Sequence, residues 1–325
     1  MVQATSRAGE SDITGQTILV TGGAGFIGGH LVESLVEAND VRVLDDLSAG
    51  SRARVPREAT LIEGDVRDEA AVGRAMGDVD AVFHLAAVVN VAQSVEEPVH
   101  SHSVNVDGTL NVLEEARRND ARVVLASSAA IYGAPESIPI DEDEPATPES
   151  PYGLDKLTVD RYAAMYHDLY DLPTVRIRPF NAYGPGQTGS EYSGVISIFM
   201  NQARAGEPIT VEGDGTQTRD FVHVWDLVHA FRLAATTDHV GEAFNVGTGT
   251  SVSIRELAER VQEVTGSTSE IVHTDPREGD IEHSRADIAK AEALLGYEPR
   301  VELDEGLGTI QEPPSRAQPV TPSVD

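Results

Sequence analysis

The 325-residue sequence contains no cysteine, which excludes disulfide bonds and thiol chemistry within the chain. Such a composition fits a reducing compartment, so we expect a cytoplasmic location. No apolar run reaches membrane-spanning length, and residues 1–16 lack the apolar core of a signal peptide. No cluster of His, Asp and Glu has a convincing metal-ligand spacing. We therefore expect neither a membrane segment nor a bound metal.

Lysine is nearly absent as well. Of the 24 basic residues only Lys156 and Lys290 are lysines, whereas Asp and Glu total 54 and the formal net charge is −30. A chain this acidic repels nucleic acids and anionic membranes, so we expect neither as a partner. Excess acid, scarce lysine and the lack of cysteine together indicate a halophilic protein, in which salt screens the repulsion between like charges.

A strand, a glycine-rich turn and a helix follow one another near the N-terminus. The apolar run 17–20 predicts the strand, and apolar residues recur at helical spacing over 26–36. Between them Gly22, Gly25 and Gly28 fit a dinucleotide fingerprint. Glycines there permit a tight turn and close approach of the backbone to a pyrophosphate, which the helix N-terminus attracts. The pattern predicts cofactor contacts from Gly22, Gly25, Phe26, Ile27 and Gly28.

The residue that ends the second predicted strand indicates which dinucleotide binds. Asp45 follows the strand 41–44 and lies twenty residues after Gly25. A carboxylate at this place binds ribose hydroxyls and repels a 2′-phosphate, so NAD is preferred to NADP. Arg52 and Arg54 follow closely and leave NADP open as an alternative.

Strands and helices alternate through the first half of the chain, which is typical of a parallel sheet with helices on both faces. Further strands are predicted at 59–63, 81–85, 122–126 and 174–178, and a helix at 99–119. Ligands of such sheets bind at the carboxyl ends of the strands. The sequence therefore predicts an α/β fold, a Rossmann-type doubly wound parallel sheet. Asp65, Val66 and Ala86 are further cofactor candidates at the strand ends.

The regular alternation ends after residue 181, and shorter strands and helices follow. We assign residues 14–180 to an NAD-binding domain, to which 220–247 returns. Residues 181–219 and 248–312 form a smaller mixed α/β substrate-binding domain. The tail 313–325 holds four prolines without apolar periodicity, so we expect it to be disordered.

Tyr152 and Lys156 lie four residues apart in another predicted helix, with Ser150 as its N-cap and Pro151 as its first residue. One helical turn brings the two side chains to the same face. A nearby ammonium lowers the pKa of a phenol, and a proton-transferring tyrosine needs a pKa closer to neutral. A chain with two lysines keeps one here, where a compact amine differs from a guanidinium. The pair is predicted to transfer protons.

These motifs together resemble the extended short-chain dehydrogenase/reductase family, and more narrowly its nucleotide-sugar epimerases of the UDP-glucose 4-epimerase type. The resemblance covers residues 17–307. It implies that Tyr152 exchanges a proton with the sugar 4-hydroxyl while a hydride leaves C4 for NAD and returns to the other face. It also implies that Lys156 lowers the pKa of Tyr152 and holds the nicotinamide ribose, and that Ser128 bonds the same hydroxyl. A homodimer is implied as well.

The same resemblance suggests how a nucleotide-sugar substrate is bound. Asn181, Arg219 and Arg277 match positions at the diphosphate, where guanidinium groups pair with phosphates. Ser284 matches a position that gates an N-acetyl group, and its small size implies that N-acetylated sugars enter as well as plain hexoses. Glu212 stands where relatives often have an aromatic residue beside the base, which leaves the base open.

Two alanines narrow the reaction. Related 4,6-dehydratases carry an Asp-Glu pair directly after the catalytic threonine, and related decarboxylases keep a glutamate there, whereas this chain has Ala129 and Ala130. The sequence therefore favours C4 inversion over elimination. A 4-keto reductase uses the same dyad and stays an alternative, together with a dehydratase. A non-catalytic dinucleotide sensor is disfavoured, because Ser128, Tyr152 and Lys156 are all present.

Overall fold

Thirteen strands and eleven α-helices make up the part of the chain that the computed structural model describes, residues 13–187, 194–276, 279 and 281–310. The strands are β1 (Thr17–Thr21), β2 (Asp40–Asp45), β3 (Thr60–Glu63), β4 (Ala81–His84), β5 (Arg122–Ala126), β6 (Thr174–Pro179), β7 (Asn181–Tyr183), β8 (Ile209–Glu212), β9 (Thr218–Arg219), β10 (Phe221–His223), β11 (Ala243–Val246), β12 (Val252–Ser253) and β13 (Ile271–Thr274). The helices are α1 (Phe26–Leu35), α2 (Glu69–Met76), α3 (Val91–Glu96), α4 (Pro98–His102), α5 (Gly108–Asn119), α6 (Pro151–Tyr170), α7 (Val195–Ala205), α8 (Val224–Thr236), α9 (Ile254–Thr265), α10 (Ala289–Leu295) and α11 (Leu303–Thr309). Short 3₁₀ turns cover Arg52–Arg54 and Ala129–Ile131, and a π-helical turn, Ser103–Asp107, joins α4 to α5.

Seven of the strands form one parallel sheet in the order β11-β6-β5-β4-β1-β2-β3. β1 pairs with both β2 and β4, so the chain changes direction across the sheet beside β1. Such a switch point is where sheets of this type bind ligands, at the carboxyl ends of the strands. The predicted α/β fold with a doubly wound parallel sheet is confirmed.

Successive side chains along each strand point to opposite faces of this sheet, and helices cover both faces. Val20 and Phe83 pack toward α1 and α8, whereas Leu19 and Val82 pack toward α2 and α5. All four side chains are fully buried, and each contributes about 1.5–3 kcal/mol relative to exposure. Because both faces are covered, the strands read as continuous apolar runs rather than as alternating ones.

Three two-stranded ladders lie outside the large sheet. β7 pairs with β10 and β8 with β13 in parallel, and β9 pairs with β12 antiparallel. A separate apolar cluster, which includes Phe199, Leu257 and Leu307, joins these strands to α7, α9 and α11. The assignment of this part as a substrate-binding domain stays a prediction. β11, from the segment predicted to return, pairs with β6 at the edge of the large sheet.

The helix predicted at 99–119 is built differently. It begins at Pro98 and passes through the π-helical turn Ser103–Asp107, whose Asn105 pairs with the backbone of Val88: Asn105 Oδ1 accepts from Val88 N at 2.7 Å and Nδ2 donates to Val88 O at 3.1 Å. A single wide turn hardly alters the spacing of apolar residues, so the sequence does not reveal it. The sequence also does not predict β13 and α11.

Two other expectations concern the tail and the membrane. The tail 313–325 lies outside the described residues. Within the residues that are described, no helix is both long and apolar enough to cross a lipid bilayer.

Candidate active site

In the glycine turn between β1 and α1, the backbone atoms lie too close together for any residue larger than glycine at two positions. Gly22 has φ +71°, and a Cβ there would lie 2.7 Å from Ala86 N. A Cβ on Gly28 would lie 2.2 Å from Gly22 O, so the first turn of α1 rests on the glycine turn. Gly25 is the N-cap of α1 and has no side chain with which to cap it. The first N–H groups of α1 therefore suit a phosphate at the sheet edge.

Asp45 fastens this turn in addition to ending β2. Its Oδ2 accepts a hydrogen bond from Ala24 N at 2.9 Å, and its Oδ1 accepts one from Leu47 N at 2.8 Å. The residue is buried, and each carboxylate oxygen keeps a further lone pair. Asp45 can thus hold the turn and still accept hydrogen bonds from ribose hydroxyls. The sequence predicts the ribose contact, which stays a prediction, and misses the hydrogen bonds that Asp45 accepts within the turn.

The two arginines that left NADP open contact other parts of the protein. Arg52 forms an ion pair with Glu63, and Arg54 donates a hydrogen bond to Gly186 O. Because both guanidinium groups already bind other parts of the protein, they are poorly placed to bind the 2′-phosphate of NADP. The geometry therefore favours NAD over NADP.

The other predicted cofactor residues lie along the same edge of the sheet. Asp65 accepts hydrogen bonds from the Arg67 guanidinium, which lowers the pKa of that carboxyl. Val66 is buried and packs closely against α5. A Cβ added to Gly108, the first residue of α5, would lie 2.6 Å from the Val66 side chain. Phe26 and Ile27 form the first turn of α1, and Ala86 follows β4.

The helix that carries the predicted tyrosine begins where the sequence places it. Ser150 is the N-cap of α6, and its Oγ accepts a hydrogen bond from Gly153 N at 3.1 Å. Tyr152 N donates to Ser94 Oγ of α3, also at 3.1 Å. A Cβ on Gly153 would lie 2.7 Å from Ala130 O. The start of α6 is therefore pressed against the 3₁₀ turn that follows β5.

Ser128, Tyr152 and Lys156 come together at the carboxyl end of β5. Ser128 Oγ accepts a hydrogen bond from Ala130 N at 3.1 Å, and the Ser128 side chain lies close enough to Tyr152 to lower the pKa of the phenol. Lys156 Nζ lies 6.0 Å from the centre of the Tyr152 ring and donates to Ala126 O at 2.7 Å. The three residues predicted to be catalytic thus form one cluster.

The acidity of this cluster differs from the prediction. Burial raises the pKa of Tyr152, and the hydrogen bond with Ser128 acts in the opposite direction. Burial also lowers the pKa of Lys156 to about 8, against the charge of Asp155. The predicted lowering of the Tyr152 pKa is therefore not found in this structure, and a contribution of the Lys156 charge to it stays a prediction. The phenol is desolvated, and the ammonium donates to Ala126 O instead of the phenol.

A buried histidine lies close to the dyad. His84 Nδ1 is 2.6 Å from Thr21 Oγ1, and its Nε2 is 2.8 Å from Thr109 Oγ1. Burial, followed by the charge of Lys156, lowers the pKa of His84 to about 3. His84 is therefore neutral near pH 7 and ties β1 and β4 to α5. No spacing in the sequence singles it out.

A buried polar network connects α6 to the sheet. Arg178 of β6 donates two hydrogen bonds of 2.9 Å to Asp160 of α6 and a third, also of 2.9 Å, to Tyr132 Oη. Tyr132 Oη donates to Asn245 Oδ1 of β11 at 2.7 Å. Burial raises the pKa of Tyr132 to about 12, so it stays a neutral donor. The network fixes α6, and with it Tyr152, against β6 and β11.

Three predicted substrate residues gather around β9. Asn181 donates from both N and Nδ2 to Asp220 O, each at 3.0 Å. Ser284 is buried, and its N donates to Thr218 O at 3.1 Å. Arg219 lies between these two contacts, donates to Thr218 O at 2.8 Å and lines a cavity of about 320 Å³. The structure thus brings Asn181, Arg219 and Ser284 into one neighbourhood.

Asp220 holds this neighbourhood together and is missed by the sequence reasoning. Its carboxylate is buried and accepts hydrogen bonds from Thr248 N at 2.8 Å, Gly249 N at 3.0 Å and Ala286 N at 3.2 Å. The segment after β11 and the segment near Ser284 are therefore fixed to the same side chain. An acidic residue next to a predicted arginine reads as a surface charge when only the sequence is available.

The larger cavity, of about 890 Å³, lies at the end of β8, where Glu212 lines it together with Gln217 and His273. Arg277 lies outside the described residues, and its place at the diphosphate stays a prediction. Among the residues with described positions, no group of three His, Cys, Asp or Glu side chains could hold a metal ion.

Comparison with known proteins gives consistent matches over most of the chain. A family model described as the NAD dependent epimerase/dehydratase family matches residues 18–247. A putative UDP-glucose 4-epimerase of Methanocaldococcus jannaschii is 41% identical over 297 residues, which cover 90% of this chain and 96% of that protein.

Solved structures are similar over the same length. The UDP-glucose 4-epimerase of Thermotoga maritima with UDP-glucose has 38% sequence identity and a TM-score of 0.88, and the match covers 90% of this chain and 96% of that one. The UDP-glucose 4-epimerase of Thermus thermophilus in complex with NAD has 38% identity and a TM-score of 0.84, with 90% and 97% covered. The chain therefore belongs to the NAD-dependent epimerase/dehydratase family, within the extended short-chain dehydrogenases/reductases that its motifs predict.

Proposed function

We propose that the protein is an NAD-dependent epimerase that inverts C4 of a nucleotide-linked sugar through a 4-keto intermediate. The observation that carries this proposal is the cluster of Ser128, Tyr152 and Lys156 at the same sheet edge as the glycine turn. This arrangement supports the proposal, because a proton-transferring tyrosine would then lie beside a bound dinucleotide. The relatives named UDP-glucose 4-epimerases support the same reaction.

The residues around the glycine turn fit an NAD molecule. Side chains larger than hydrogen are excluded at Gly22 and Gly28, which leaves the backbone open to a pyrophosphate at the start of α1. Asp45 would accept hydrogen bonds from the adenosine ribose, and Lys156 would donate one to the nicotinamide ribose. When bound, NAD supplies the nicotinamide that takes a hydride from C4 of the sugar and gives it back.

Tyr152 Oη would take the proton of the sugar 4-hydroxyl during oxidation and return it during reduction. Burial alone keeps the phenol protonated, so the groups that favour phenolate must act against it. Ser128 does so by its hydroxyl, and an ammonium at Lys156, 6.0 Å from the centre of the ring, would do so by its charge. Ser128 Oγ would also orient the 4-hydroxyl. A sugar that turns over between the two steps receives the hydrogen on its other face.

The neighbouring side chains disfavour elimination. Ala129 and Ala130 form the start of the 3₁₀ turn after Ser128, and their methyl groups can neither donate nor accept a proton. The acid and base that a dehydratase needs directly after this serine are therefore missing. Reduction of the 4-keto intermediate is the step that the residues present can support.

We further propose a UDP-linked hexose or its N-acetylated form as the substrate. Arg219 and Arg277 would pair with the diphosphate, and Asn181 would donate to it through the second N–H of its side-chain amide, the first being bonded to Asp220 O. The small Ser284, whose backbone bonds the strand of Arg219, leaves room for an N-acetyl group. Arginines matter here because a chain with a net charge of −30 otherwise repels an anionic substrate.

A homodimer in a salt-rich cytoplasm is also proposed. Val95, Val99 and Leu154 are each more than half exposed on α3, α4 and α6, helices that lie against one another. Exposed apolar groups on adjacent helices suit an isologous contact between two copies. Sedimentation at high salt would show a mass of twice 34.7 kDa if this holds, and a monomer would contradict it.

The activity is tested with UDP-galactose, UDP-N-acetylgalactosamine and catalytic NAD, followed by the anomeric proton signals. Conversion to the glucose epimers without net NADH is the expected result. A sugar that stays unchanged, or one that loses water, would rule out the proposed function. The Tyr152→Phe variant serves as the matched control, because it keeps the ring and removes only the hydroxyl.

A further inference from the structure

Asp155, directly before Lys156 on α6, is a carboxylate that the reaction as described does not use. The residue is 3% exposed. Its Oδ2 accepts a hydrogen bond from Ser101 Oγ at 2.7 Å, and its Oδ1 lies 3.0 Å from His102 Nδ1. Both partners belong to α4, so a neighbouring helix holds the carboxylate in place. Because a carboxylate only accepts, His102 must carry its proton on Nδ1 in this contact.

Lys156 needs a negative charge nearby if it is to remain an ammonium. Its Nζ is buried and bonds a neutral carbonyl, Ala126 O. The other groups that face it, the Tyr152 phenol and the buried His84, carry no negative charge near pH 7. Asp155 directly precedes Lys156 on α6, with the two Cα atoms about 3.8 Å apart, and both side chains are buried, so its charge opposes the effect of burial on Lys156. Neighbours on a helix point about 100° apart, so Asp155 acts through space while α4 fixes its position.

We propose that Asp155 is a positioning residue of the reaction, a buried carboxylate that keeps the neighbouring Lys156 in its ammonium form. Ser101 and His102 secure it by hydrogen bonds that tie α4 to the second turn of α6. The role rests on the proposed function, in which the Lys156 ammonium favours the Tyr152 phenolate. Burial lowers the pKa of Lys156 to about 8, so removal of the carboxylate would release the proton within the working range of pH.

The scarcity of lysine makes this protonation directly measurable. In NAD-saturated protein labelled with [ε-¹³C]lysine, Lys156 and Lys290 give the two lysine signals, and the Lys290→Arg variant assigns them. We expect Asp155→Asn to lower the titration midpoint of Lys156 by about half a pH unit or more. Asp168→Asn, which removes an exposed carboxylate from the same helix, should leave that midpoint unchanged.

An unchanged Lys156 midpoint in Asp155→Asn overturns the proposal. If that variant loses its circular dichroism signal, Asp155→Ser is titrated instead. Serine is also uncharged and is smaller, so the same decrease in the Lys156 midpoint is expected. In the epimerase assay, kcat of the variant should decline at a lower pH than kcat of the native protein, with KM for UDP-galactose changed by less than about twofold. An inactive native protein would refute the proposed function, whereas the midpoint of Lys156 still decides the role of Asp155.

Discussion

At the scale of single residues, the proposed mechanism depends on a balance of charges around Tyr152. Burial raises the pKa of the phenol and lowers that of Lys156, so desolvation opposes the charged form of both groups. Hydrogen bonding by Ser128 and the carboxylate of Asp155 act against it. Each pKa unit corresponds to about 1.4 kcal/mol, so modest contacts of this kind decide whether the dyad works near neutral pH.

Replacing Tyr152 by phenylalanine removes the atom that we propose exchanges the proton. We expect Tyr152→Phe to lower kcat by about 10²–10⁴-fold, because proton transfer then lacks its acid and base. The NAD content of the purified variant should stay unchanged, as judged by release of the dinucleotide on denaturation. Tyr170→Phe, an exposed position on the same helix, is the control and should retain full activity. Normal turnover by Tyr152→Phe would show that another group moves the proton.

In the proposed mechanism, the pH dependence of kcat follows from the protonation of Lys156. Its pKa is lowered to about 8, so the ammonium is present below that pH and is lost as the pH rises through it. We therefore expect kcat to fall on the alkaline side of about pH 8 in buffers of constant ionic strength. In Lys156→Met this decline should be absent and kcat should be low throughout. A native kcat that keeps rising well above pH 8 would contradict the role of the ammonium.

At the scale of elements, the site depends on how closely α1 packs against the glycine turn and α6 packs against the turn after β5. Gly28 lies against Gly22, and the start of α6 lies against the turn after β5. The Arg178 network then fixes α6 to β6. Small displacements of either element would separate the dinucleotide site from Tyr152.

Gly28→Ala tests how closely α1 must pack against the glycine turn. The added methyl would lie 2.2 Å from Gly22 O, so α1 must move away from β1. Overpacking of this kind costs about 1–3 kcal/mol of unfolding free energy, and the affinity for NAD should fall at least tenfold. Calorimetry and equilibrium dialysis measure the two effects. Gly77→Ala is the control, because a Cβ there meets nothing within 4 Å and should leave NAD binding unchanged.

The elements that the sequence predicts are those set by local patterns. The Ser150 cap, the glycine turn and the buried strands are encoded by neighbouring residues, and the structure shows all of them. Asp220 and Asp155 could not be predicted as anchors, because their partners lie on distant parts of the chain. The acidity of Tyr152 could not be predicted either, since burial depends on how whole elements pack.

At the scale of the whole molecule, the net charge of −30 sets the conditions in which the fold is stable. Repulsion among 54 acidic side chains opposes the compact state, and only 24 basic side chains offset it. The salt bridges among described residues that lie at the surface, such as Arg117 with Glu114, add little individually. We therefore propose that screening by salt reduces this repulsion in the folded chain.

The thermal unfolding midpoint should rise with salt concentration. Between about 0.1 M and 3 M KCl the Debye length shrinks to a few ångströms, so we expect an increase of several degrees. Sucrose, which stabilises proteins by exclusion without screening charges, is the control and should have a smaller effect at equal osmolality. A midpoint that stays constant or falls in KCl would contradict adaptation to high salt.

The fate of the hydrogen on C4 tests the central claim most directly. UDP-galactose that carries deuterium at C4 is incubated with the protein and NAD, and the product is analysed by NMR and mass spectrometry. An epimerase that returns the same hydride yields UDP-glucose with deuterium retained at C4. Loss of the deuterium, its accumulation in reduced cofactor, or a dehydrated sugar would contradict the proposed inversion.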